Sequence, residues 1–112
     1  MPTDPTERCV QADASLARAF TVLGKRWTAL LIGSLQRGPG GFRELSRAIG
    51  GVSDSVLSDR LSELVEFGLI ARTVEEGPPV TVTYRLTDRG RALVPALNQL
   101  SRWAEEHLPP AG

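Results

Sequence analysis

The sequence has one cysteine, one histidine and few aromatic residues: three Phe, two Trp and one Tyr in 112 residues. A single cysteine excludes an intrachain disulfide framework. The only histidine, His107, lies at the predicted end of the last helix, and no Ser-His-Asp set or Cys-His pair can be assembled around it. The glycine-rich "RGPGG" lacks the lysine and the following Ser/Thr of a phosphate-binding loop. These absences argue against an enzyme, a metal site and a cofactor.

Long apolar runs are also missing. The most apolar stretch, residues 29–32, is far shorter than the roughly 20 residues that a membrane-spanning helix needs. The first residues, "MPTDPTERC", do not have the basic and then apolar pattern of a secretory signal. We therefore expect a cytoplasmic protein with no membrane segment, and its length and composition indicate one globular domain.

The chain has no net charge, since thirteen basic residues balance thirteen acidic ones. No global attraction to nucleic acid is therefore expected. Twelve of the thirteen cations are arginine, which suits bidentate contacts with phosphate or guanine. Between Lys25 and Arg91 ten basic residues stand against eight acidic ones. The composition thus favours nucleic acid only slightly, and local patterns have to decide.

The first half of the chain predicts helices. Residues 1–12 indicate a flexible arm, and Asp13 is a suitable N-cap for a first helix. A second helix is expected over about residues 26–37, ended by the "RGPGG" stretch. The predicted buried stripe of this second helix consists of Trp27, Leu30, Leu31, Ser34 and Leu35.

The next two predicted helices are joined by a short turn that contains glycine. "FRELSRAI" predicts a short helix, and "GGV" leads into "SDSVLSDRLSELVEFG", which predicts a longer one. Ser53 is a good N-cap for this longer helix, and Asp54 complements its dipole. Leu57, Leu61 and Leu64 form its buried ridge. Such a pair of helices is typical of a helix-turn-helix motif.

After Gly68 the apolar period changes from 3.6 to 2. "LIARTVE" and "VTVTYRL" predict two strands joined by "EGPP", which together form a wing over about residues 69–86. A last helix is expected over about residues 88–107. The buried face of the second strand is predicted to carry Val80, Val82, Tyr84 and Leu86, and its wet face Thr81, Thr83 and Arg85. The fold class is mainly α with a small β-hairpin wing, a winged helix-turn-helix domain over residues 13–112.

A fold of this class binds DNA through the second helix of the motif and the wing. Hydroxyls such as Ser55 and Ser58 can bond base edges or phosphates, and Arg60 can reach guanine or a phosphate. Asp59 either accepts a hydrogen bond from cytosine or orients an arginine such as Arg60 without touching a base. The candidate DNA-binding residues are Arg26, Arg43, Ser53, Ser55, Ser58, Asp59, Arg60, Thr81, Thr83 and Arg85. Each arginine among them can instead be a solvated surface residue.

Three stretches and one tryptophan, between about Ser15 and Trp103, resemble the HxlR family of winged-helix regulators, relatives of the MarR group. "LGKRWTALLIGSL" places Arg26 and Trp27 at the family's Lys-Trp pair. "GPGGFRELSRAIGGVSDSVLSDRLSELVEFGLIAR" and "VTYRLTDRG" are similar to its helix-turn-helix and to the segment after its wing. Trp103 matches the tryptophan of the last helix. The order and spacing of these pieces make the resemblance specific.

The resemblance implies a homodimer that binds a palindromic operator and regulates nearby genes. It also implies dimerisation through the first and last helices, with an interface of Leu16, Phe20, Leu93, Leu97, Leu100 and Trp103. The alternative is a last helix folded back on its own core. A small-molecule effector is a further expectation, in a pocket lined by Phe20, Trp27 or Trp103, although large residues at helical spacing are more often core.

Departures from the family pattern affect the contacts more than the fold. Gly41 stands where the family usually has Arg, no lysine lies near Ser55, and Thr81 and Thr83 replace an Arg and a Glu of the wing. The family's sensor cysteine corresponds to Ala14. Cys9 lies five residues earlier, where it is either a thiol sensor beside Arg8 or an ordinary free thiol. These losses leave an alternative function open: a winged-helix module that binds protein or ligand, with weakened DNA contact.

Overall fold

The computed structural model describes the backbone of residues 5–110 and the side chains of residues 14–110. Five helices and one hairpin follow one another along this part of the chain. Their bounds are α1 (Pro5–Leu23), α2 (Thr28–Leu35), α3 (Phe42–Ile49), α4 (Asp54–Glu66), β1 (Ile70–Glu75), β2 (Thr81–Leu86) and α5 (Asp88–His107). The predicted fold class, mainly helical with a hairpin wing after the helix-turn-helix, is confirmed.

The helix-turn-helix surrounds the core as its leucine spacing predicts. Leu57, Leu61 and Leu64 of α4 are no more than 1% exposed, because residues at this spacing share one face of a helix. The Ser53 hydroxyl accepts a hydrogen bond from the Val56 amide at 3.2 Å and caps α4. The remaining fully or nearly buried apolar residues are Leu31, Ile32, Leu35, Leu45, Leu69, Ile70 and Leu86.

The wing is an antiparallel pair in which Ile70 lies opposite Leu86 and Glu75 opposite Thr81. Its base is fixed to the loop before α3 by two hydrogen bonds between Gly40 and Tyr84, of 2.9 and 2.8 Å. The base of the wing is therefore anchored next to α3, which precedes the turn of the motif. One prediction about the wing is wrong: Val80 is 65% exposed, because it lies beyond the paired strands, where no element covers it.

The second helix is shorter than predicted and is rotated about its axis. It begins at Thr28, and its buried residues are Thr28, Leu31, Ile32 and Leu35. The predicted stripe is correct for Leu31 and Leu35 but wrong for Leu30, which is 51% exposed; Trp27 precedes the helix, and Ser34 is only half-buried. Two apolar faces are possible on "TALLIGSL", and the position of α4 and the wing decides which one is buried.

The first helix begins at Pro5 and not at Asp13, so the predicted cap and the predicted arm are wrong from Pro5 onwards. Residues 1–4 lie outside the described part. Proline is well tolerated at the first position of a helix, where its missing amide has no partner to lose. Of the described α1 side chains, Val22 and Leu23 pack against the core, whereas those of residues 14–21 are exposed.

The last helix, like α1, packs against the core along one part of its length and is exposed along another. Thr87 caps it by accepting from the Gly90 amide, and Gly90 allows close packing, since a Cβ there would lie 2.1 Å from the Leu69 carbonyl oxygen. Leu93 and Leu97 pack against the chain's own core, but Leu100 and Trp103 are about half exposed. Leu93 and Leu97, predicted at a dimer interface, thus belong at least partly to the monomer core.

The projecting helices make the molecule elongated. Its radius of gyration is 17.0 Å, against about 13 Å for a compact chain of this length. None of the helices in the described part is sufficiently long and apolar to cross a membrane.

Candidate nucleic-acid interface

The outer face of α4 is open and polar. Ser55, Ser58 and Asp59 are all exposed, on the side away from the buried leucines. Within the described residues, Asp59 makes no ion pair, so its carboxylate does not hold Arg60. The face thus presents two hydroxyls and one carboxylate, groups that can donate to or accept from base edges.

Arg60 is held inside the protein surface. Its side chain is 16% exposed and pairs with Glu63 at 2.9 Å. Glu63 also accepts from Lys25 at 2.7 Å, in the loop between α1 and α2. The Lys25 hydrogen bond, aided by the charges of Lys25 and Arg60, lowers the pKa of Glu63 although partial desolvation opposes this. Glu63 therefore links the motif to the α1–α2 loop through Lys25 and also holds Arg60. The contact with Lys25 is tertiary, and the sequence did not indicate it.

Arg43 lies beside the N-terminus of α4. Its guanidinium forms two contacts of 3.2 Å with the carboxylate of Asp54 and lies 5.5 Å from the ring centre of Phe42. The Arg43 side chain is nevertheless 71% exposed, so the pair is a weak surface ion pair. A phosphate can replace Asp54 as the partner of this guanidinium with the same bidentate geometry.

A second arginine of α3, Arg47, was missed at the sequence level. It is exposed and lies one turn after Arg43, because residues four apart share one face of a helix. In the described part it takes part in no ion pair. The four-residue spacing of the two arginines in "FRELSRAI" could have indicated the pair. Together they make an exposed cationic edge on α3.

Arg26 lies in the loop between α1 and α2 and stacks on its neighbour Trp27. Its guanidinium is 4.9 Å from the ring centre of Trp27, and the Trp27 ring lies beside Gly51 in the turn before α4. Trp27 therefore acts as a platform that holds Arg26 near the turn. Aromatic contact limits the side-chain freedom of this arginine, although the residue remains exposed.

The wing is less basic than its position suggests. Thr81 is exposed and Thr83 is half-buried, and both lie on the face predicted to be wet. Arg85 is exposed on that face, but at the base of the wing, where it lines a cleft against α5. Arg72, missed at the sequence level, is the other exposed arginine of the hairpin and lies opposite Tyr84.

Other predicted sites can be located as follows. Leu16 and Phe20 of α1 are 56% and 50% exposed, and Trp103 of α5 is 51% exposed. The side chain of Cys9 lies outside the described residues, so the thiol prediction stays untested. Among the described residues, no group of three or more His, Cys, Asp or Glu could hold a metal ion.

A family model described as HxlR-like helix-turn-helix matches residues 22–111. The HTH-type transcriptional regulator YvaP of Bacillus subtilis, itself uncharacterized, is 42% identical over 94 residues, which cover 84% of this chain and 87% of YvaP. These similarities extend over both the helix-turn-helix and the wing.

Solved structures agree with this match. The reduced form of the regulator YodB from B. subtilis superimposes with a TM-score of 0.76 at 36% identity, over 88% of this chain and 96% of that chain. A MarR-family regulator from Enterococcus faecalis V583 gives a TM-score of 0.77 at 34% identity, over 95% and 90%. The matched proteins are transcriptional regulators and not enzymes, which confirms the exclusion of catalysis.

Proposed function

The chain belongs to the HxlR-like helix-turn-helix family of transcriptional regulators, and on this premise we propose that it binds a palindromic operator as a homodimer. The observation that carries the proposal is the exposed polar face of α4, Ser55, Ser58 and Asp59, with the exposed guanidinium of Arg43 beside the N-terminus of the same helix. Polar side chains in the groove read bases, and flanking cations contact phosphates.

The assignment of roles follows from the contacts of each residue. Ser55, Ser58 and Asp59 are the base-reading group because they are exposed on α4. Arg43, Arg47 and Arg26 are the phosphate-binding group, with Thr81 and Thr83 as weaker contacts on the wing. Ser53 acts mainly as the helix cap. Arg60 is left out of the base-reading group because it is occupied by Glu63.

The dimer is supported by apolar surface that the monomer leaves open. Leu16 and Phe20 lie four residues apart on one face of α1, and both are about half exposed. A groove of about 540 Å³ lies between α2 and α5, and Leu30 and Leu100 line it. Its other walls are mostly small: Ala29, Gly33, Ser34, Ala48, Ser101 and Ala104. A partner's α1 can enter a groove with such low walls, which buries both apolar faces at once.

The two-fold symmetry of the proposed dimer explains why the operator is expected to be palindromic. A dimer related by a two-fold axis presents two α4 helices, and these match two half-sites about one helical turn of DNA apart. Doubling the contacts also offsets the weak charge of each monomer, since each phosphate contact adds to affinity through counterion release. Because the proposed partner is chromosomal DNA, we infer that the protein acts in the cytoplasm.

The test is selection of bound fragments from genomic DNA, followed by titration of the best fragment at several salt concentrations. Arg43→Ala is expected to weaken binding to all fragments and to reduce the salt slope by about one. Ser55→Ala is expected to change base preference instead. Arg102→Ala, which removes an exposed arginine at the far end of α5, is the matched charge control. Equal weakening by Arg43→Ala and Arg102→Ala contradicts the interface.

A second candidate function is supported by the tip of the wing. Val74 and Val80 are exposed there, next to Glu75 and Glu76, and a phosphate backbone repels such acids. This surface favours a protein partner over DNA at the wing tip alone. Failure to bind any genomic fragment at low salt leaves this candidate in place of the first.

We further infer that the regulator responds to a small-molecule effector. The support is a relative: one solved structure of YodB is of its quinone-bound form. That protein is 38% identical to this chain over 92 residues. The response is measured as a change of operator affinity on addition of the effector.

A further inference from the structure

A cleft of about 420 Å³ lies at the base of the wing, between β2, α5 and the loop after α2. Its apolar lining residues are Leu35, Leu86, Val94 and the two prolines Pro39 and Pro95. A volume in the usual range for small-molecule sites, with mainly apolar walls, can take a compact apolar body. Apolar contact alone does not select a ligand, so the polar groups of the cleft decide its class.

The charged side chains that line the cleft are Arg85 and Arg91, and no acid is among its lining residues. Arg91 is positioned by its own element: its guanidinium donates to the Leu86 carbonyl oxygen at 2.9 Å and contacts Asp88. Arg85 makes no hydrogen bond or ion pair within the described side chains. Two guanidiniums beside an apolar wall therefore have only one carboxylate between them, and Asp88 is 99% exposed.

We propose that this cleft binds a small organic anion, a carboxylate carried on an apolar body, and that this anion class contains the effector. The carboxylate is placed at Arg85 and Arg91, where a guanidinium can bind it bidentately. The apolar body lies against Val94, Pro95 and Leu35. As an account of regulation the inference rests on the proposed function, but the binding site itself does not.

The position of the cleft explains how an occupant affects the DNA-binding parts. Its walls belong to three parts of the fold: β2 of the wing, the end of α2 with the loop that leads into α3, and the first half of α5. The same loop holds the wing through Gly40 and Tyr84. A ligand that contacts all three walls fixes the wing and the motif relative to α5, and thereby favours one arrangement of the two halves of a dimer.

Binding is tested on the free protein by saturation-transfer NMR with hexanoate. Hexanamide, which has the same chain without the charge, and inorganic phosphate, which has charge without the chain, are the comparison ligands. Hexanoate is expected to bind at least about tenfold more tightly than either one, given the strength of hydrogen bonds to charged groups. Equal binding of hexanamide, or equal binding of phosphate, overturns the proposal.

Variants locate the site. Arg85→Gln and Arg91→Gln are each expected to weaken hexanoate binding about tenfold. Arg72→Gln, which removes an exposed arginine outside the cleft on the same hairpin, is expected to leave it unchanged. Arg85 loses no contact with the described side chains, so its variant keeps the test valid if Arg91→Gln unfolds the protein. Equal binding by Arg85→Gln and the parent chain overturns the site.

Regulation has a separate readout. Saturating hexanoate is expected to change the Kd for the selected operator fragment about fivefold or more, the usual lower range of coupling between two sites. An unchanged Kd with hexanoate bound overturns the regulatory part and leaves the proposed DNA binding intact. A chain that binds no DNA contradicts the proposed function, while the NMR titration still decides whether the cleft is a site.

Discussion

Two regions of the molecule bury their apolar side chains to different extents. The first is the helix-turn-helix together with the base of the wing, and the second is the pair of terminal helices, α1 and α5. In the first region the leucines of α4 are 0 to 1% exposed, and the wing base is hydrogen-bonded to the loop before α3. In the second region Leu16, Phe20, Leu100 and Trp103 are all at least half exposed. Large exposed apolar faces on separate helices indicate a surface that a partner covers.

The difference separates two sources of stability. The motif has its own core, so it is expected to be folded at any protein concentration. The terminal helices bury part of their apolar surface only in the proposed dimer, so their contribution depends on concentration through mass action. Substitutions in the two regions therefore have different signatures in unfolding and in association.

The largest effect is expected from Leu61→Ala. Truncation of a fully buried leucine leaves a cavity, and the free energy of unfolding is expected to fall by about 2–5 kcal/mol. Urea titration followed by circular dichroism measures it. Val74→Ala, on the exposed part of the wing, is expected to cost about 0.5 kcal/mol or less. A similar loss in both variants contradicts the division into a self-sufficient core and an exposed wing.

Next in size is the effect of Phe20→Ala on association. An aromatic anchor in an interface typically contributes more than about 1 kcal/mol, so the dimer Kd is expected to rise about tenfold or more. Sedimentation equilibrium measures the change. Val65→Ala, at a partly exposed position on α4, is the control and should leave the dimer Kd unaltered. A chain that stays monomeric at micromolar concentration removes the dimer proposal.

A smaller effect is expected at the start of α4. Ser53→Ala removes the side-chain acceptor of the Val56 amide, which is expected to cost about 1 kcal/mol of unfolding free energy. Ser55→Ala, two residues along on the exposed face, is expected to change stability by no more than about 0.5 kcal/mol. The two serines thus separate capping from base reading, and a larger stability loss for Ser55→Ala argues against this assignment.

The smallest effect is expected from the link between the two regions, Lys25, Glu63 and Arg60. The pKa of Glu63 is below its ordinary value of 4.5, so the unfolded chain binds a proton at this carboxylate more tightly than the folded chain. The ionised Glu63 carboxylate therefore stabilises the folded chain above pH 4.5, and this stabilisation is lost as the pH falls through the lower pKa of the folded state. Glu63→Gln should flatten this part of the stability–pH curve measured between pH 6 and pH 3 (about the range of carboxylate titration), and an unchanged curve contradicts the link.

The sequence predicted best where a pattern has one solution. The leucine spacing of α4 permits one buried face, and the alternation in "VTVTYRL" indicated a strand correctly, although Val80 lies beyond the paired residues and is exposed. Prediction was poorer in α2, because "TALLIGSL" is apolar on two sides and only the neighbouring elements choose between them. The start of α1 was missed because the sequence before Asp13 has no sustained run of apolar residues at helical spacing to reveal it.

The candidate site shows the same limit at the level of single side chains. Ser53 as cap and Ser55 and Ser58 as exposed hydroxyls follow from local helix geometry, which the chain specifies within one turn. The Arg60–Glu63 pair is a local contact three residues apart on one helix, but the contact of Lys25 with the same carboxylate could not be predicted, since Lys25 lies 38 positions before Glu63. Arg85 was expected on the DNA side of the wing, and it lines the cleft against α5.

The amino-acid pattern determines the order of the elements, the faces of α4 and the family of the protein, because these depend on contacts within a turn or a strand. Packing alone determines which cations are free, which apolar residues stay exposed and where a cleft forms. Those properties depend on which distant segments meet, as Lys25 meets Glu63 across 38 positions. An arginine has the same charge wherever it stands in the chain, and its neighbours in space decide whether it holds the fold or is free to bind.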